Sequence, residues 1–223
     1  MYAAVVTSFD APPAYLEFSS PVPAGPDQVL VDVVASGLHR RVRSQADGSH
    51  CTSTGGLPLV PGVDGVARLP DGALRYFALG DTTSGAMAEQ TLIDLRQSFE
   101  LPGDTDPVQV AAAMNPAMSS WVALRRRTDF QAGQSVLVLG ATGSSGQLAV
   151  QVAKQLGASR VVAAGRNPQR LAELPHLGAD AVVSLGDSAQ LAAAAADVDV
   201  VLDYLWGPAA AEAMIAIATH RSS

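Results

Sequence analysis

The chain has 223 residues, of which 48% are hydrophobic and 16% charged, a composition that predicts a folded globular protein and excludes a disordered one. Its formal net charge of −7 argues against nucleic acid as a partner, because binding phosphates requires a clustered basic surface. The single cysteine, Cys51, excludes an internal disulfide bond and any zinc site built from several cysteines.

No charged leader with an apolar core opens the chain, and no apolar run approaches the roughly 20 residues of a membrane span. We therefore expect a soluble, cytoplasmic protein with neither a membrane nor a nucleic-acid partner. The one basic run, Arg125 to Arg127, falls at the expected end of a helix, where cations interact favourably with the helix dipole.

The N-terminal part of the chain consists of short apolar segments separated by proline and glycine clusters, which predicts short strands and turns. The segment QVLVDVV places Val29, Val31 and Val33 on one face with a period of two residues. The segment MAEQTLID is another strand candidate. We expect residues 1–105 to form a mostly β domain.

From residue 106 onward, strand-like and helix-like segments alternate, which is the pattern of stacked βαβ units. Asp106 is predicted to cap a helix whose first position is Pro107, and the dipeptide Asn115–Pro116 is predicted to break or kink that helix. We expect residues 106–223 to form a second, α/β domain.

The segment VLVLGATGSSGQLAVQ carries Gly140, Gly143 and Gly146 at three-residue intervals. A continuous apolar run from Ser135 to Leu139 predicts a buried strand before these glycines. Apolar residues at helical spacing predict a helix after them, which ends at Gly157. The glycines therefore lie in a strand-to-helix turn.

A glycine-rich turn between a strand and a helix is typical of dinucleotide-binding sites, where glycines let the backbone approach a pyrophosphate. The positive end of the following helix favours an anion there. We predict that the pyrophosphate binds at Thr142, Gly143, Ser144, Ser145 and Gly146. The motif alone leaves open a glycine-rich turn that binds no ligand.

The segment SRVVAAG predicts a second parallel strand, after which Asn167 caps another helix. NAD sites carry an acidic residue near the end of this strand, whereas an arginine nearby accommodates the 2′-phosphate of NADP. Residues 147–172 contain no Asp or Glu, and the strand end offers Gly165, Arg166, Asn167 and Arg170. Because arginine binds phosphate strongly, we predict NADP, as NADPH. The alternative is that Arg166 and Arg170 are exposed residues at the start of a helix and bind no ligand.

Two further strands are predicted by GADAVVSL and DVDVVLDYL, and a helix begins near Pro208. Asp203, at the end of the fourth strand, either contacts the cofactor-binding loop or caps the next helix. A complete doubly wound sheet has six strands in the order 3-2-1-4-5-6, so we expect a partial sheet of four. The run from Val198 to Leu202 would present an apolar sheet edge that needs a cover.

The order of a Pro/Gly-rich β domain and a nucleotide-binding unit resembles the medium-chain dehydrogenase/reductase superfamily, in its zinc-free, quinone-oxidoreductase-like branch. The resemblance covers essentially the whole chain and rests on GPDQVLVDVVASGLH, LPLVPGVDGVARL and GATGSSGQLAVQVAKQLGA. It implies a GroES-like domain followed by a Rossmann-type domain. It also places Asn115 and Ser119, in NPAMSSWVAL, near the cofactor. Family members continue for two more strands, so the chain is expected to be C-terminally short.

Zinc-dependent members of the family carry a cysteine in the loop matched by SGLHRR and a His–Glu pair where this chain has Val63 and Asp64. Leu38 and Val63 cannot bind a metal. His39, His50 and Cys51 remain as possible ligands, but His50 and Cys51 are adjacent on a loop and do not converge easily on one tetrahedral ion. We therefore expect no metal site.

The resemblance implies that NADPH delivers a hydride to a quinone or an α,β-unsaturated carbonyl compound, and that positioning and polarisation of one oxygen provide most of the catalysis. His39 matches a polar family position beside the cofactor and is the predicted catalytic residue, since histidine titrates near neutral pH. A solvated histidine is the alternative for His39, and Asp64 is expected to be structural. The alternative function is a shortened, non-catalytic dinucleotide-binding protein, stabilised by a partner or by self-association into a homo-oligomer.

Overall fold

The computed structural model describes residues 1–53 and 55–220 of the chain. The chain divides into two compact units, Met1–Asn115 and Pro116–Ser223. None of the helices in the described residues combines the length and the hydropathy that are needed to span a bilayer.

The first unit is built mainly from antiparallel strands. Its elements are β1 (Tyr2–Val5), β2 (Ala14–Glu17), β3 (Gln28–Ser36), α1 (Arg40–Ala46), β4 (Asp64–Arg68), β5 (Leu74–Ala78), β6 (Gln90–Asp94) and β7 (Ser98–Glu100). Strands β1 and β2 form one antiparallel pair, and the other five strands form a sheet in the order β6-β3-β4-β5-β7. The predicted mostly β N-terminal domain is therefore confirmed.

The long strand β3 lies inside this sheet, paired with β4 on one side and β6 on the other. Val31 is buried at its centre in a cluster with Phe77 and Ile93, and Val29 packs against the same cluster. The alternating valines of QVLVDVV therefore direct β3 to the core, because a period of two places alternate side chains on one face.

The second unit contains a parallel sheet with helices. Its elements, after α2 (Pro107–Val122), are β8 (Ser135–Leu139), α3 (Ser144–Gln155), β9 (Arg160–Gly165), α4 (Pro168–Glu173), β10 (Ala181–Ser184), α5 (Ser188–Ala195), β11 (Val200–Asp203) and α6 (Pro208–His220). The strand order β10-β9-β8-β11 corresponds to 3-2-1-4, the first four positions of a doubly wound sheet. All four predicted strands are present, and the expected partial Rossmann-type sheet is confirmed.

The central strand β8 is buried on both of its faces. Val136 and Val138 belong to a cluster that includes residues of α3, whereas Leu137 and Leu139 belong to a second cluster that includes residues of α5 and α6. All four side chains are completely buried. Because helices pack on both sides of the sheet, every residue from Val136 to Leu139 faces a core, which explains the continuous apolar run of β8.

Helix α2 begins as predicted, and of the two alternatives predicted at Asn115–Pro116, a break or a kink, the break does not occur. Asp106 caps it, because its carboxylate accepts hydrogen bonds from the N–H groups of Val108 and Gln109 at 2.8 and 3.3 Å. The helix then continues through Pro116 to Val122. A proline in a helix removes one backbone donor, but the neighbouring turns keep their own hydrogen bonds, so the loss at Pro116 does not end α2.

The apolar run at β11 was expected to form an exposed sheet edge that needs a cover, but its side chains are already buried. Val198, Val200 and Leu202 are only 2%, 8% and 6% exposed, because their side chains point to the faces of the sheet, where helices cover them. Strand β11 pairs with β8, and no other described strand pairs with it. Within the described residues, this edge thus leaves the backbone of β11 without a neighbouring strand, whereas its apolar side chains are covered.

Candidate functional site

The turn after β8 is fixed by glycine at its first position. Gly140 has a φ of +81°, which lies in the left-handed region that favours glycine. The N–H groups of Gly140 and Ala141 both donate to the carbonyl oxygen of Ala164, each at 2.9 Å. These bonds tie the turn to β9, and a Cβ at position 140 would lie 3.2 Å from the Cβ of Tyr204.

The other two glycines of the motif have different physical roles. A Cβ at position 146 would overlap the carbonyl oxygen of Gly140 and would lie 2.6 Å from the Cα of Ala141, so close packing requires Gly146. A Cβ at position 143 would meet nothing nearer than 3.6 Å, and Gly143 has an ordinary φ of −83°. The fold therefore explains Gly140 and Gly146, but it does not explain Gly143.

Open space in front of Gly143 coincides with unpaired backbone donors at the start of α3. In the described part of the chain, the N–H groups of Ser144, Ser145 and Gly146 donate no hydrogen bond. The first turn of α3 also contains no acidic side chain. Free donors at the positive end of a helix favour an anion, and Gly143 carries no side chain that would block access to them.

The end of β9 packs against this turn. A Cβ at Gly165 would lie 2.6 Å from the Cγ2 of Thr142, so only glycine permits this contact. The side chain of Asn167 caps α4 by accepting a hydrogen bond from the N–H of Arg170 at 3.0 Å. The guanidinium of Arg170 donates to the carbonyl oxygen of Thr142 at 3.4 Å. Arg170 therefore lies beside the turn, while the Asn167 oxygen is occupied by its capping role.

Arg166 is exposed, and no described residue forms a hydrogen bond or an ion pair with its guanidinium. It lines a cavity of about 340 Å³ in the second unit. The remaining lining residues come from the end of β10 and the segment after it, and from α5 and α6: Ser184, Leu185, Gly186, Ser188, Leu191, Ala209, Glu212, Ala213 and Ala216. The wall of the cavity is mostly apolar, and its charged residues are the cation Arg166 and the carboxylate Glu212.

The structure places Ser119 beside the end of β11. The Ser119 hydroxyl donates to the carbonyl oxygen of Pro116 at 2.8 Å and therefore accepts from the Tyr204 hydroxyl, 3.0 Å away. Asp203 accepts from the N–H groups of Leu205 and Trp206 at 2.8 and 3.4 Å, so it caps the turn that leads into α6.

Asn115 was predicted to lie near a cofactor together with Ser119. Its side chain is half-buried and has no hydrogen-bond partner among residues 1–53 and 55–220. Its amide is therefore available to a ligand.

The predicted catalytic histidine is paired with an aspartate in the first unit. The His39 Nε2 atom lies 2.8 Å from Oδ1 of Asp64, whose side chain is completely buried. The Tyr76 hydroxyl donates to the other carboxylate oxygen at 2.9 Å. His39 is 16% exposed and is therefore held by a buried partner rather than solvated freely.

The environment of Tyr76 keeps its proton in place. Burial, together with the charge of Asp64 and the hydrogen bond to it, raises the pKa of the Tyr76 hydroxyl well above its usual range. Tyr76 is therefore a permanent hydrogen-bond donor to Asp64. No local sequence pattern singles out this tyrosine, since residues 39, 64 and 76 share no motif and meet only through the pairing of β3, β4 and β5.

The residues considered as metal ligands do not form a cluster. His50 Nδ1 lies 3.1 Å from the Thr52 hydroxyl, and Cys51 is an exposed free cysteine. Among the side chains of residues 1–53 and 55–219, no group of three or more His, Cys, Asp or Glu could hold a metal ion.

The parallel sheet of the second unit and the glycine turn after β8 together define a Rossmann-type fold. In the chain, this fold follows the antiparallel β unit. A family model described as zinc-binding dehydrogenase matches residues 146–222. The chain is 34% identical over 250 aligned residues to a protein of Emericella nidulans named as a probable NADPH-dependent quinone reductase, and the match covers 95% of this chain and 70% of that protein.

A second relative is the chloroplastic NADPH-dependent alkenal/one oxidoreductase of Arabidopsis thaliana, which is 31% identical over 176 residues. That match covers 70% of this chain and 45% of the Arabidopsis protein. Among solved structures, the quinone oxidoreductase of Thermus thermophilus, which was also solved with NADPH, matches with a TM-score of 0.86 and 27% identity. It covers 97% of this chain and 70% of the Thermus chain. The chain belongs to the medium-chain dehydrogenase/reductase superfamily, in its quinone oxidoreductase branch.

Proposed function

We propose that the protein is an NADPH-dependent oxidoreductase that reduces a quinone or an α,β-unsaturated carbonyl compound without zinc. The observation that carries this proposal is the open space in front of Gly143 beside the unpaired N–H groups of Ser144, Ser145 and Gly146. The names of the Emericella and Arabidopsis relatives, a quinone reductase and an alkenal/one oxidoreductase, support the class of substrate.

The residues of the second unit fit a dinucleotide phosphate. The N–H groups at the start of α3 would hold its pyrophosphate, because they are free donors at a positive helix end. Arg166 and Arg170 would hold the 2′-phosphate that distinguishes NADPH from NADH, with the Asn167 side-chain N–H₂ as a further donor. The apolar wall beside Arg166 would receive the flat adenine ring.

The two parts of the chain would have different functions. We assign cofactor binding to residues 106–223 and substrate handling to residues 1–105, which contain His39. When bound, NADPH supplies a hydride to an electron-poor carbon of the substrate. His39 provides the proton that the substrate oxygen then needs, since an imidazole exchanges protons readily near neutral pH. Leu38 and Val63, which occupy the positions of zinc ligands in zinc-dependent relatives, contain no atom that binds zinc.

The experiment is to mix the purified chain with NADPH and either a benzoquinone or a conjugated enone, and to follow NADPH absorbance and cofactor fluorescence together. We expect cofactor binding followed by oxidation of NADPH, with no change after zinc is removed by a chelator. Binding without oxidation would favour a non-catalytic dinucleotide-binding protein. Neither binding nor oxidation would contradict the proposed function.

A further inference from the structure

The carboxylate of Asp64 occupies an enclosed position in the first unit. Asp64 is the first residue of β4, and its carbonyl oxygen accepts a hydrogen bond from the N–H of Gly37 at 3.1 Å. A Cβ at position 37 would lie 2.8 Å from the Asp64 Oδ1 atom, so glycine leaves the room that the carboxylate needs. The loop between β3 and α1 thus wraps the carboxylate and excludes water from it.

A carboxylate in such a place requires donors, and the structure supplies two. Tyr76 donates to Oδ2 at 2.9 Å, and His39 approaches Oδ1 at 2.8 Å. Burying a negative charge is costly unless it is paired and hydrogen-bonded. Of these two donors only the imidazole of His39 can carry a positive charge. The Asp64 carboxylate therefore offers an imidazolium of His39 a buried counter-ion at hydrogen-bond distance.

The contact between His39 and Asp64 also determines which nitrogen of the imidazole ring is free. An ionised carboxylate only accepts hydrogen bonds, so the Nε2 atom of His39 must carry a hydrogen when it faces Asp64. The other ring nitrogen, Nδ1, has no hydrogen-bond partner among residues 1–53 and 55–220. Nδ1 is thus the ring atom that is free to exchange a proton.

We propose that Asp64 is a positioning residue, which holds His39 with Nε2–H toward the carboxylate so that Nδ1–H delivers the proton to the reduced substrate. This inference rests on the proposed function. The pair corresponds to the orienting role of an aspartate beside a catalytic histidine, in which the carboxylate stays ionised and stabilises the imidazolium.

The proton transfer is balanced within the chain and its substrate. The substrate oxygen that has gained an electron pair through hydride addition forms a bond to the proton of Nδ1. The Nδ1–H bond breaks, its electron pair remains on Nδ1, and His39 becomes a neutral imidazole that still carries hydrogen on Nε2. A proton from water then restores the imidazolium, and the Asp64 carboxylate takes no part in the transfer.

The first test measures the histidine ring without any turnover. Nitrogen-15 NMR of the whole chain distinguishes the two neutral tautomers, and a His39→Gln variant identifies the His39 signals. We expect the wild-type His39 ring to be the Nε2–H tautomer when neutral. We expect Asp64→Asn to lose this single tautomer, because an asparagine both donates and accepts. Tyr76→Phe, which keeps the carboxylate, and Asp81→Asn, which changes an exposed aspartate, should preserve it.

The second test compares variants in the proposed reaction. His39→Gln is expected to lower kcat about 100-fold or more, and Asp64→Asn at least about tenfold, with KM changed much less. In the His39→Gln background, Asp64→Asn should cause no further loss, because Asp64 acts through His39. Circular dichroism of each variant checks that the chain is folded.

Each outcome decides one part of the inference. An Nδ1–H tautomer in the wild-type chain, or an unchanged ring signal in Asp64→Asn, would overturn the positioning role. Equal losses from Asp64→Asn with and without His39 would overturn it as well. A wild-type chain that shows no NADPH oxidation would instead contradict the proposed function, and the ring signals alone would then decide the role of Asp64.

Discussion

The Arg170 guanidinium donates a hydrogen bond to the Thr142 carbonyl oxygen at 3.4 Å. This bond connects the segment after β9 to the turn after β8 in the candidate cofactor site. Arg170, in α4, therefore lies against the glycine turn that follows β8. Arg166, four residues earlier in the chain, has no such partner among the described residues and faces a cavity of about 340 Å³. The two arginines should consequently contribute differently to cofactor binding.

Arg166→Ala is expected to weaken NADPH binding about 10- to 100-fold, because a hydrogen bond to a charged group contributes about 1.5–3 kcal/mol. NADH, which lacks the 2′-phosphate, should be affected much less. Arg170→Ala should cost less than Arg166→Ala, since its guanidinium is shared with the Thr142 carbonyl. Isothermal titration with both cofactors measures these effects, and Arg125→Ala is the control for losing a surface cation. Equal weakening of NADPH and NADH by Arg166→Ala would refute the assignment.

Gly143→Ala and Gly146→Ala are a matched pair of substitutions that separate binding from folding. Gly143→Ala should leave the unfolding temperature nearly unchanged, because the new Cβ would lie 3.6 Å from its nearest neighbour. It should weaken NADPH binding at least about tenfold by occupying the space that the pyrophosphate needs. Calorimetry and cofactor titration give the two quantities. Undiminished NADPH affinity in Gly143→Ala would remove the support for this site.

Gly146→Ala should act mainly on the fold. The new Cβ would lie 2.6 Å from the Cα of Ala141, a backbone atom that cannot move aside cheaply. Overpacking of this kind costs about 1–3 kcal/mol, so the free energy of unfolding should fall by that amount. Chemical denaturation measures the loss. A Gly146→Ala chain as stable as the wild type would show that the contact between α3 and the turn is looser than described.

The ion pair between Lys154 and Asp180 should make stability depend on pH. Burial acts to raise the pKa of Asp180, but the hydrogen bonds from Lys154 and the N–H of Val161, together with the nearby positive charges, outweigh it and lower that pKa. A lowered pKa stabilises the fold above the usual value of 3.8, and the contribution is lost as pH falls through the lower value. Asp180→Asn should therefore lower the unfolding temperature at neutral pH but not in strong acid. A difference that is the same at both pH values would contradict this account.

Trp206 adopts a left-handed conformation that is strained for a large side chain, with a φ of +56° and 87% exposure. Asparagine tolerates this region better, so Trp206→Asn should stabilise the protein by about 1 kcal/mol, or about 2–4 °C for a chain of this size. Little buried area is lost, because the indole is exposed. Trp206→Phe is the control, since phenylalanine is also bulky and should give no gain. A lower unfolding temperature in Trp206→Asn would show that the indole makes a stabilising contact.

The sequence predicted the features that depend on local patterns. The apolar run of β8, the glycine turn and the cap at Asp106 each follow from neighbouring residues. The sequence left open whether Pro116 breaks or kinks α2, and the structure excludes the break, because proline weakens a helix locally while the surrounding turns retain it. The contact between His39 and Asp64 was missed for another reason. It depends on the pairing of β3 with β4, which no local pattern reveals.

The most direct test of the central claim is an NMR titration of the whole chain with NADPH that follows the backbone amide signals. If the turn after β8 holds the pyrophosphate, the amides of Gly143, Ser144, Ser145 and Gly146 will shift as NADPH is added, and Arg166 will shift with them. Amide signals of this turn that stay unchanged while others shift would contradict the account.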